Sequence, residues 1–366
     1  MNPFRALGLR AGPAAKPRRE EHALADLSTY SARGSNGLAL DALMVAPPRE
    51  FWTPLPGPLP GTLVTGSLPP EHAARYLLRM PKHWHGGLVI SASPGFTDEH
   101  GYDLYWSDFL LNEGYAFACM DKGVHATVDG DTFFLPMDGS TSIRHWLRRF
   151  QELAAAAAQE CSRHYGRAPQ RVYAVGVSNG GYLVRRLLEQ SPDLVHGGVD
   201  VSGVLWRPER SLLISLPKML RDGLAVEPAW EKALSIYRAL YWEASLAVFI
   251  ADLDPAYEGP LADYDLSKRP AGVHAAIAEV SNTGRLGKPL VSLSGKRDFL
   301  LPPADHAQAY HELAAAGGRH SLILVDDATH VDADRALIPE AQPLMPHAHA
   351  AFRRLAAQVE GTACAA

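Results

Sequence analysis

Short apolar runs alternate with segments of helical periodicity from residue 75 onward. The runs are nearly continuous in apolar residues, as expected for strands that are buried on both faces of a sheet. This alternation predicts an α/β fold in which helices flank a mostly parallel central sheet. The predicted strands are 75–80, 88–92, 115–120, 172–177, 199–205, 290–294 and 321–325, and the predicted helices include 103–112, 142–165 and 181–190.

Residues 206–285 interrupt this alternation. The segment is rich in aromatic residues and helix formers, and the strand-helix pattern resumes after it. We interpret it as a helical insertion that lies over the strand ends as a lid or cap. The alternative is a set of helices that pack on the sheet without contributing to a site. The core of the fold then comprises 36–205 and 286–366.

The first 70 residues have weaker patterns. Residues 1–35 are polar with little periodicity, which predicts an arm that is loosely ordered or partly docked on the core. Prolines and glycines are frequent over 45–70, which favours loop or edge structure. The stretches 38–45 and 61–68 are candidates for early antiparallel strands.

The composition allows a large hydrophobic core and gives no sign of a polyanionic partner. Of the 366 residues, 47% are hydrophobic and 20% are charged, which argues against intrinsic disorder. The net charge is −5, whereas a nucleic-acid-binding protein would carry a basic surplus. Cys119, Cys161 and Cys364 are too few and too scattered for a disulfide framework.

No apolar stretch has the length of a signal peptide or the roughly 20 residues needed to cross a bilayer. We therefore expect a cytoplasmic protein without a membrane span, or a secreted protein if a leader has been removed.

The strongest local signal is a G-x-S-x-G motif formed by Gly176, Val177, Ser178, Asn179 and Gly180. An apolar strand leads into it and an amphipathic helix leaves it. In this context a serine occupies a sharp turn that projects its hydroxyl above the sheet, and the glycines allow strand and helix to approach closely. The motif predicts a serine nucleophile, because the helix N-terminus behind it stabilises developing negative charge.

A serine hydroxyl needs a base to accept its proton, and in this architecture the order along the chain is serine, acid, histidine. Asp298 lies in the loop after the predicted strand 290–294, and His330 follows the predicted strand 321–325 within a short polar loop. Both loops leave the same edge of the sheet. We predict that His330 is the general base and that Asp298 orients its imidazole.

Other residues could fill these roles. Asp298 could instead cap a helix that begins nearby. Asp326 and Asp327 are closer to the histidine in sequence, but they fall at a strand end where solvation is expected. His347 and His349 are second choices for the base.

The loop at 93–97 is predicted to supply half of an oxyanion hole. Pro94 and Gly95 allow a tight turn that presents the backbone N–H of Phe96. The backbone N–H of Asn179, directly after the nucleophile, supplies the second donor. A simple surface turn at 93–97 is the alternative.

No metal or cofactor is predicted. The closely spaced histidine pairs are His83 with His85 and His347 with His349, and neither belongs to a recognised metal-binding motif. Phosphate-binding and dinucleotide-binding fingerprints are also missing from the sequence. These absences favour hydrolysis without a cofactor.

Around these residues the chain resembles the α/β-hydrolase superfamily over roughly residues 75–360. The stretches 81–90, 113–123, 283–290 and 329–332 are similar to tannase and feruloyl-esterase-like hydrolases and to 3-hydroxybutyrate oligomer hydrolases. The loop at 93–97 is similar to the oxyanion loop of cutinase-like polyester hydrolases. The resemblance implies ester cleavage through an acyl-enzyme, with a helical lid before the acid. Secreted tannase-type enzymes often join the nucleophile and histidine loops by a disulfide, but Val177 and Thr329 stand at those positions here.

The sequence therefore predicts a serine hydrolase that acts on small-molecule or oligomeric carboxylic esters, with polyester-like substrates included. The aromatic residues of the insertion favour apolar or aromatic substrate groups, and the candidate contacts are Trp206, Trp230, Tyr241 and Trp242. The alternatives are an amidase or peptidase with the same triad, a lipase, and a binding module that kept the fold.

Overall fold

A computed structural model describes residues 19–28, 56–69, 74–96, 99, 103–124 and 141–361 of the chain. The candidate strand 38–45, Thr97 and Cys364 lie outside these residues. The described part contains one nine-stranded sheet. Its strands are β1 (Glu20–Leu24), β2 (Gly61–Leu68), β3 (Ala74–Pro81), β4 (Gly87–Ala92), β5 (Ala116–Met120), β6 (Arg171–Val177), β7 (Gly197–Val201), β8 (Leu290–Gly295) and β9 (His320–Val325).

The strand order across the sheet is β1-β2-β3-β5-β4-β6-β7-β8-β9. The pairs β1-β2, β2-β3 and β3-β5 are antiparallel, and every pair from β5 to β9 is parallel. The predicted mostly parallel sheet is thus confirmed. In register, Ala92 at the end of β4 pairs with Gly176, and Val177 at the end of β6 pairs with Val201. The loops that follow these strands therefore emerge side by side at one edge.

Helices cover both faces of the sheet, because strand side chains alternate between two hydrophobic clusters. Val89 and Val175 pack toward the cluster that contains Phe352, whereas Ile90 and Ala174 pack toward the other. The helices are α1 (Asp103–Asn112), α2 (Trp146–Tyr165), α3 (Asn179–Gln190), α4 (Leu212–Asp222), α5 (Glu231–Tyr237), α6 (Glu243–Leu253), α7 (Ala271–Val280), α8 (Ala307–Ala314) and α9 (Met345–Glu360). Helices α1 and α9 cover the first face, and α2, α3 and α8 cover the second.

The segment 206–285 contains α4 to α7 and lies between β7 and β8 in the chain. A π-helical turn, Arg238–Trp242, joins α5 to α6. Trp206, Trp242 and Phe249 are buried in the same cluster as α2 and α3. The insertion is therefore packed into the core of the fold.

Two elements differ from the sequence predictions by four residues at one end. The strand predicted at 199–205 ends at Val201, because Ser202 adopts φ 49°, in the left-handed region that interrupts a β ladder. The helix predicted from residue 142 begins at Trp146, after the 3₁₀ turn Ile143–His145. Within the N-terminal arm, which was predicted to be loosely ordered or partly docked, β1 pairs with β2, because the outer edge of β2 offers unpaired backbone groups to a neighbouring segment.

Candidate active site

Ser178 occupies the turn between β6 and α3, as the G-x-S-x-G motif predicts. Its φ is 55°, a conformation that a non-glycine residue rarely adopts. Two backbone hydrogen bonds hold the turn: the Ser178 N–H donates to Val201 O at 2.9 Å, and the Tyr182 N–H donates to Ser178 O at 2.9 Å. The strained turn is thus fixed between β7 and the first turn of α3.

The glycines of the motif are required by close packing of the backbone. A Cβ atom on Gly176 would collide with the carbonyl group of Gly180. A Cβ atom on Gly180 would collide with the carbonyl oxygen of Ala92, the last residue of β4. A side chain at either position would push helix α3 away from the sheet and displace Ser178.

Asp298 and His330 lie together at the same edge of the sheet. The imidazole Nδ1 of His330 is 2.7 Å from Asp298 Oδ2. A carboxylate can only accept, so Nδ1 is the donor and carries the proton. Asp298 is held by its other oxygen, which accepts backbone hydrogen bonds from Leu300 at 3.0 Å and Leu301 at 2.8 Å. Both side chains are buried, so the pair is shielded from water.

The electrostatics of this pair favour the protonated imidazole. Burial alone would lower the pKa of His330, because it penalises the charged form. The charge and hydrogen bond of Asp298 outweigh that effect and raise the pKa above its ordinary value, and Asp334 adds to the rise. His330 in this setting is a stronger base than a free imidazole.

Ser202 links the turn at Ser178 to the loop that carries His330. Its hydroxyl donates to the backbone carbonyl of His330 at 2.9 Å, and the preceding residue, Val201, accepts from the N–H of Ser178. Within the described residues, no hydrogen bond joins Ser178 Oγ directly to the His330 imidazole. The contact between a nucleophile and its base often shortens only in the complex with substrate. Sequence patterns alone did not indicate a role for Ser202.

The candidate oxyanion loop is attached to the turn at Ser178. The side-chain amide of Asn179 donates to the carbonyl of Gly95 at 3.2 Å. Gly95 has φ 49°, which gives the tight turn predicted before Phe96. This connection places the loop after β4 beside the first residue of α3, where the two backbone donors are expected.

Comparison with solved structures supports this architecture. Feruloyl esterase B from Aspergillus oryzae superposes with a TM-score of 0.59 at 11% sequence identity, over 99% of this chain and 90% of that chain. A Legionella pneumophila protein named as a candidate hydrolase gives a TM-score of 0.55 at 16% identity, over 93% of this chain and 98% of that chain. The chain has the α/β-hydrolase fold. At these identities the likeness establishes the fold alone.

A weaker likeness is to acylaminoacyl peptidase from Pyrococcus horikoshii, with a TM-score of 0.48 and 14% identity over 77% of this chain. This chain spans 39% of the length of that peptidase. No family model matches the sequence, and no curated protein matches it. The activity of this α/β-hydrolase fold must therefore be argued from its own site.

Three of the four aromatic residues predicted as lid contacts lie near the acid and histidine loops of the α/β-hydrolase core. The indole N–H of Trp242 donates at 2.8 Å to the carbonyl of Phe299, the residue directly after Asp298. The Trp230 ring packs against the Phe299 ring at 6.2 Å, and Tyr241 packs against Tyr237 at 5.2 Å. These contacts brace the site from the insertion side, and a direct role with substrate stays a prediction.

Trp206, the fourth residue, is fully buried in an aromatic cluster. Its ring lies 4.9 Å from Phe249, which in turn lies 6.0 Å from Phe96 and 6.4 Å from Trp146. The cluster therefore extends from the insertion to the candidate oxyanion loop.

Tyr237 contacts the candidate histidine and Asp334 contacts Tyr237, although neither residue was predicted. Tyr237, at the end of α5, accepts a hydrogen bond of 2.9 Å from the backbone N–H of His330 and donates one to the Asp334 carboxylate. Burial raises the pKa of Asp334 to about 6, against the lowering effect of the hydrogen bond from Tyr237 and the charge of His330. The insertion thus anchors the histidine loop. In the sequence, the position of Asp334 four residues after the histidine could have indicated its role. No sequence pattern indicated a role for Tyr237.

The alternative residues lie elsewhere. Asp326 and Asp327 are exposed and form ion pairs with Lys296 and Arg297 at the surface. His349 is buried in α9 and hydrogen bonds through Nε2 to the backbone carbonyl of Tyr105 at 2.7 Å, whereas His347 is exposed. None of them approaches Asp298 or Ser178 through a hydrogen bond within the described residues.

Two features are absent from the part of the chain that the structure describes. No group of three histidine, cysteine, aspartate or glutamate side chains is arranged there to hold a metal ion. No helix in the same part of the chain has the length and apolar character required to traverse a membrane.

Proposed function

We propose that the protein is a serine hydrolase that cleaves carboxylic esters, with Ser178 as nucleophile, His330 as general base and Asp298 as the residue that orients it. The observation that carries the proposal is the 2.7 Å hydrogen bond between His330 Nδ1 and Asp298 Oδ2, at the edge where Ser178 occupies its strained turn. Because Nδ1 carries the proton, Nε2 is the atom free to accept one from a hydroxyl.

In the proposed reaction, Ser178 Oγ forms a bond to the ester carbonyl carbon while its proton passes to His330 Nε2. The carbonyl oxygen takes the negative charge, and the backbone N–H groups of Phe96 and Asn179 stabilise it. The C–O bond to the alcohol then breaks, and His330 returns the proton to the leaving oxygen. Water, deprotonated by His330, releases the acid from the acyl-enzyme and restores the serine.

The proposed substrates are esters with apolar or aromatic groups, including oligomeric esters. The support is Tyr241 of the insertion, which is half-buried and packs against Tyr237, the residue that accepts a hydrogen bond from the backbone of His330. An aromatic side chain beside a site favours flat, apolar groups through burial and edge-to-face contact. The name of the structural neighbour feruloyl esterase B points to the same class of ester.

The test is hydrolysis of p-nitrophenyl acetate, butyrate and cinnamate by the wild type and by Ser178→Ala. We expect the variant to lose more than about 10³-fold in kcat, since removal of the nucleophile from a comparable triad costs roughly 10⁶-fold. Ser235→Ala, at an exposed serine of the insertion, is the matched control and should keep full activity. Undiminished activity in Ser178→Ala would refute the proposal.

The same panel separates the alternatives. Faster hydrolysis of matched p-nitroanilides than of the esters would indicate that the enzyme is an amidase and not an esterase. Equal kcat/KM for acetate and cinnamate would contradict the aromatic preference, and a jump in rate above the micellar concentration of a long-chain ester would indicate a lipase.

A further inference from the structure

Lys122 is a buried cation that the proposed reaction does not use. It lies in the turn after β5, is 0% exposed, and has φ 62°, in the left-handed region. Its Nζ donates two hydrogen bonds, both to Ser93: one to the hydroxyl at 2.7 Å and one to the backbone carbonyl. A lysine side chain held in this way fixes the position of one particular residue.

Ser93 is the first residue of the candidate oxyanion loop. Its own N–H donates to the carbonyl of Met120 at 2.8 Å, so the backbone there is tied to the end of β5. Two residues later, Gly95 is tied to α3 by the side-chain amide of Asn179. The loop that presents the Phe96 N–H is thus held at its start by Lys122 and near its end by Asn179.

The same lysine also contacts the aromatic support of the loop. Its Nζ lies 5.3 Å from the centre of the Trp146 ring, within the range of a cation–π interaction. The Trp146 ring packs against the Phe96 ring at 6.4 Å. Lys122 therefore contacts both the backbone at Ser93 and the Trp146 side chain, and these two groups determine where Phe96 lies.

The environment makes this lysine costly to bury. Burial lowers the pKa of Lys122 to about 7, against the opposing charge of Asp121. The Asp121 carboxylate accepts from the N–H groups of Arg75 and Gly123, and within the described residues no carboxylate forms an ion pair with Lys122. An amine keeps at least two N–H donors in either protonation state, so both bonds to Ser93 persist when the charge is lost.

We propose that Lys122 is a positioning residue for the oxyanion hole, which sets the Phe96 N–H through its two hydrogen bonds to Ser93. The proposal rests on the proposed esterase function. A displacement of about 1 Å at a catalytic group can cost on the order of 100-fold in rate. Loss of this anchor should therefore impair stabilisation of the oxyanion more than it impairs substrate binding.

The test is Lys122→Met, which keeps an unbranched side chain only one heavy atom shorter and removes its donors, with Lys82→Met at an exposed lysine as the matched control. We expect kcat for p-nitrophenyl butyrate to fall by about 10- to 100-fold while KM changes by less than about 2-fold. An aryl trifluoromethyl ketone, which forms a charged hemiketal with the serine, should lose inhibition by the same factor as kcat/KM. A structural role alone would not make these two losses match.

A folded Lys122→Met that keeps kcat within about 2-fold of the wild type would overturn the proposal, as would a rise in KM without a change in kcat. If circular dichroism shows that this variant does not fold, Ser93→Ala decides, since it removes one acceptor with a minimal change in volume. We expect Ser93→Ala to lower kcat by about 3- to 30-fold, and an unchanged kcat would overturn the proposal. Failure of the esterase function itself is distinguished beforehand, because it would show as wild-type hydrolysis that does not depend on Ser178.

Discussion

Replacement of Asp298 by asparagine tests the orientation of the imidazole with little change in shape. One oxygen of Asp298 accepts from the N–H groups of Leu300 and Leu301 at 3.0 and 2.8 Å. An asparagine must keep its oxygen on these donors, so its NH₂ group would face His330 Nδ1 across the present 2.7 Å contact. Nδ1 would then have to accept, and the proton would move to Nε2, the atom that must receive one from the serine.

We expect kcat of Asp298→Asn to fall roughly 10⁴-fold, as in the best-studied triad where this tautomer is imposed. The assay is p-nitrophenyl butyrate hydrolysis under saturating substrate, with circular dichroism to show that the variant is folded. Asp327→Asn, at an exposed aspartate of the histidine loop, is the matched control and should keep its rate within about 2-fold. A decrease of less than about 10-fold in Asp298→Asn would refute the reasoning and move the acid role to another carboxylate.

Three further outcomes follow from the same contacts. The kcat/KM of the wild type should rise with pH and be half-maximal above pH 6.5, because the base must be neutral and the pKa of His330 is raised above that value; a midpoint below it would contradict this. Tyr237→Phe should lower kcat by about 5- to 50-fold and the free energy of unfolding by about 1–3 kcal/mol, because the buried N–H of His330 and the Asp334 carboxylate both lose their hydrogen bond to the hydroxyl. Tyr257→Phe, at a surface tyrosine, should change neither quantity. Gly180→Ala should lower the free energy of unfolding by about 1–3 kcal/mol in denaturant titrations, since its methyl group would collide with the end of β4; Gly272→Ala, where a methyl group would contact nothing, should be neutral or slightly stabilising.

The parts of the site that local geometry dictates could be predicted from the sequence. The turn at Ser178 needs glycines two positions before and after it, because strand and helix approach too closely there for side chains. The strand predicted at 61–68 has the bounds of β2, Gly61–Leu68, since glycine and proline punctuate both of its ends. Asp298 and His330 could be paired in advance because parallel strands deliver the loops after them to one edge of the sheet.

The parts that depend on distant contacts could not be predicted. The apolar run through 205 does not show that the chain turns at Ser202, because a buried strand and a buried loop have the same hydrophobicity. Tyr237 is 93 residues from His330 in the chain, and its role depends on how the insertion packs, which periodicity does not encode. The burial of Lys122 could not be predicted either, since lysine is among the residues expected at the surface.

The central claim is that Ser178 is the nucleophile that His330 activates. The most direct measurement is covalent labelling with a fluorophosphonate, followed by peptide mass mapping of the wild type and of His330→Ala. We predict a single adduct on the peptide that contains Ser178, formed at least about 10³-fold more slowly when the imidazole is removed. An adduct on a different residue, or labelling of Ser178 at an equal rate without the imidazole, would contradict the account.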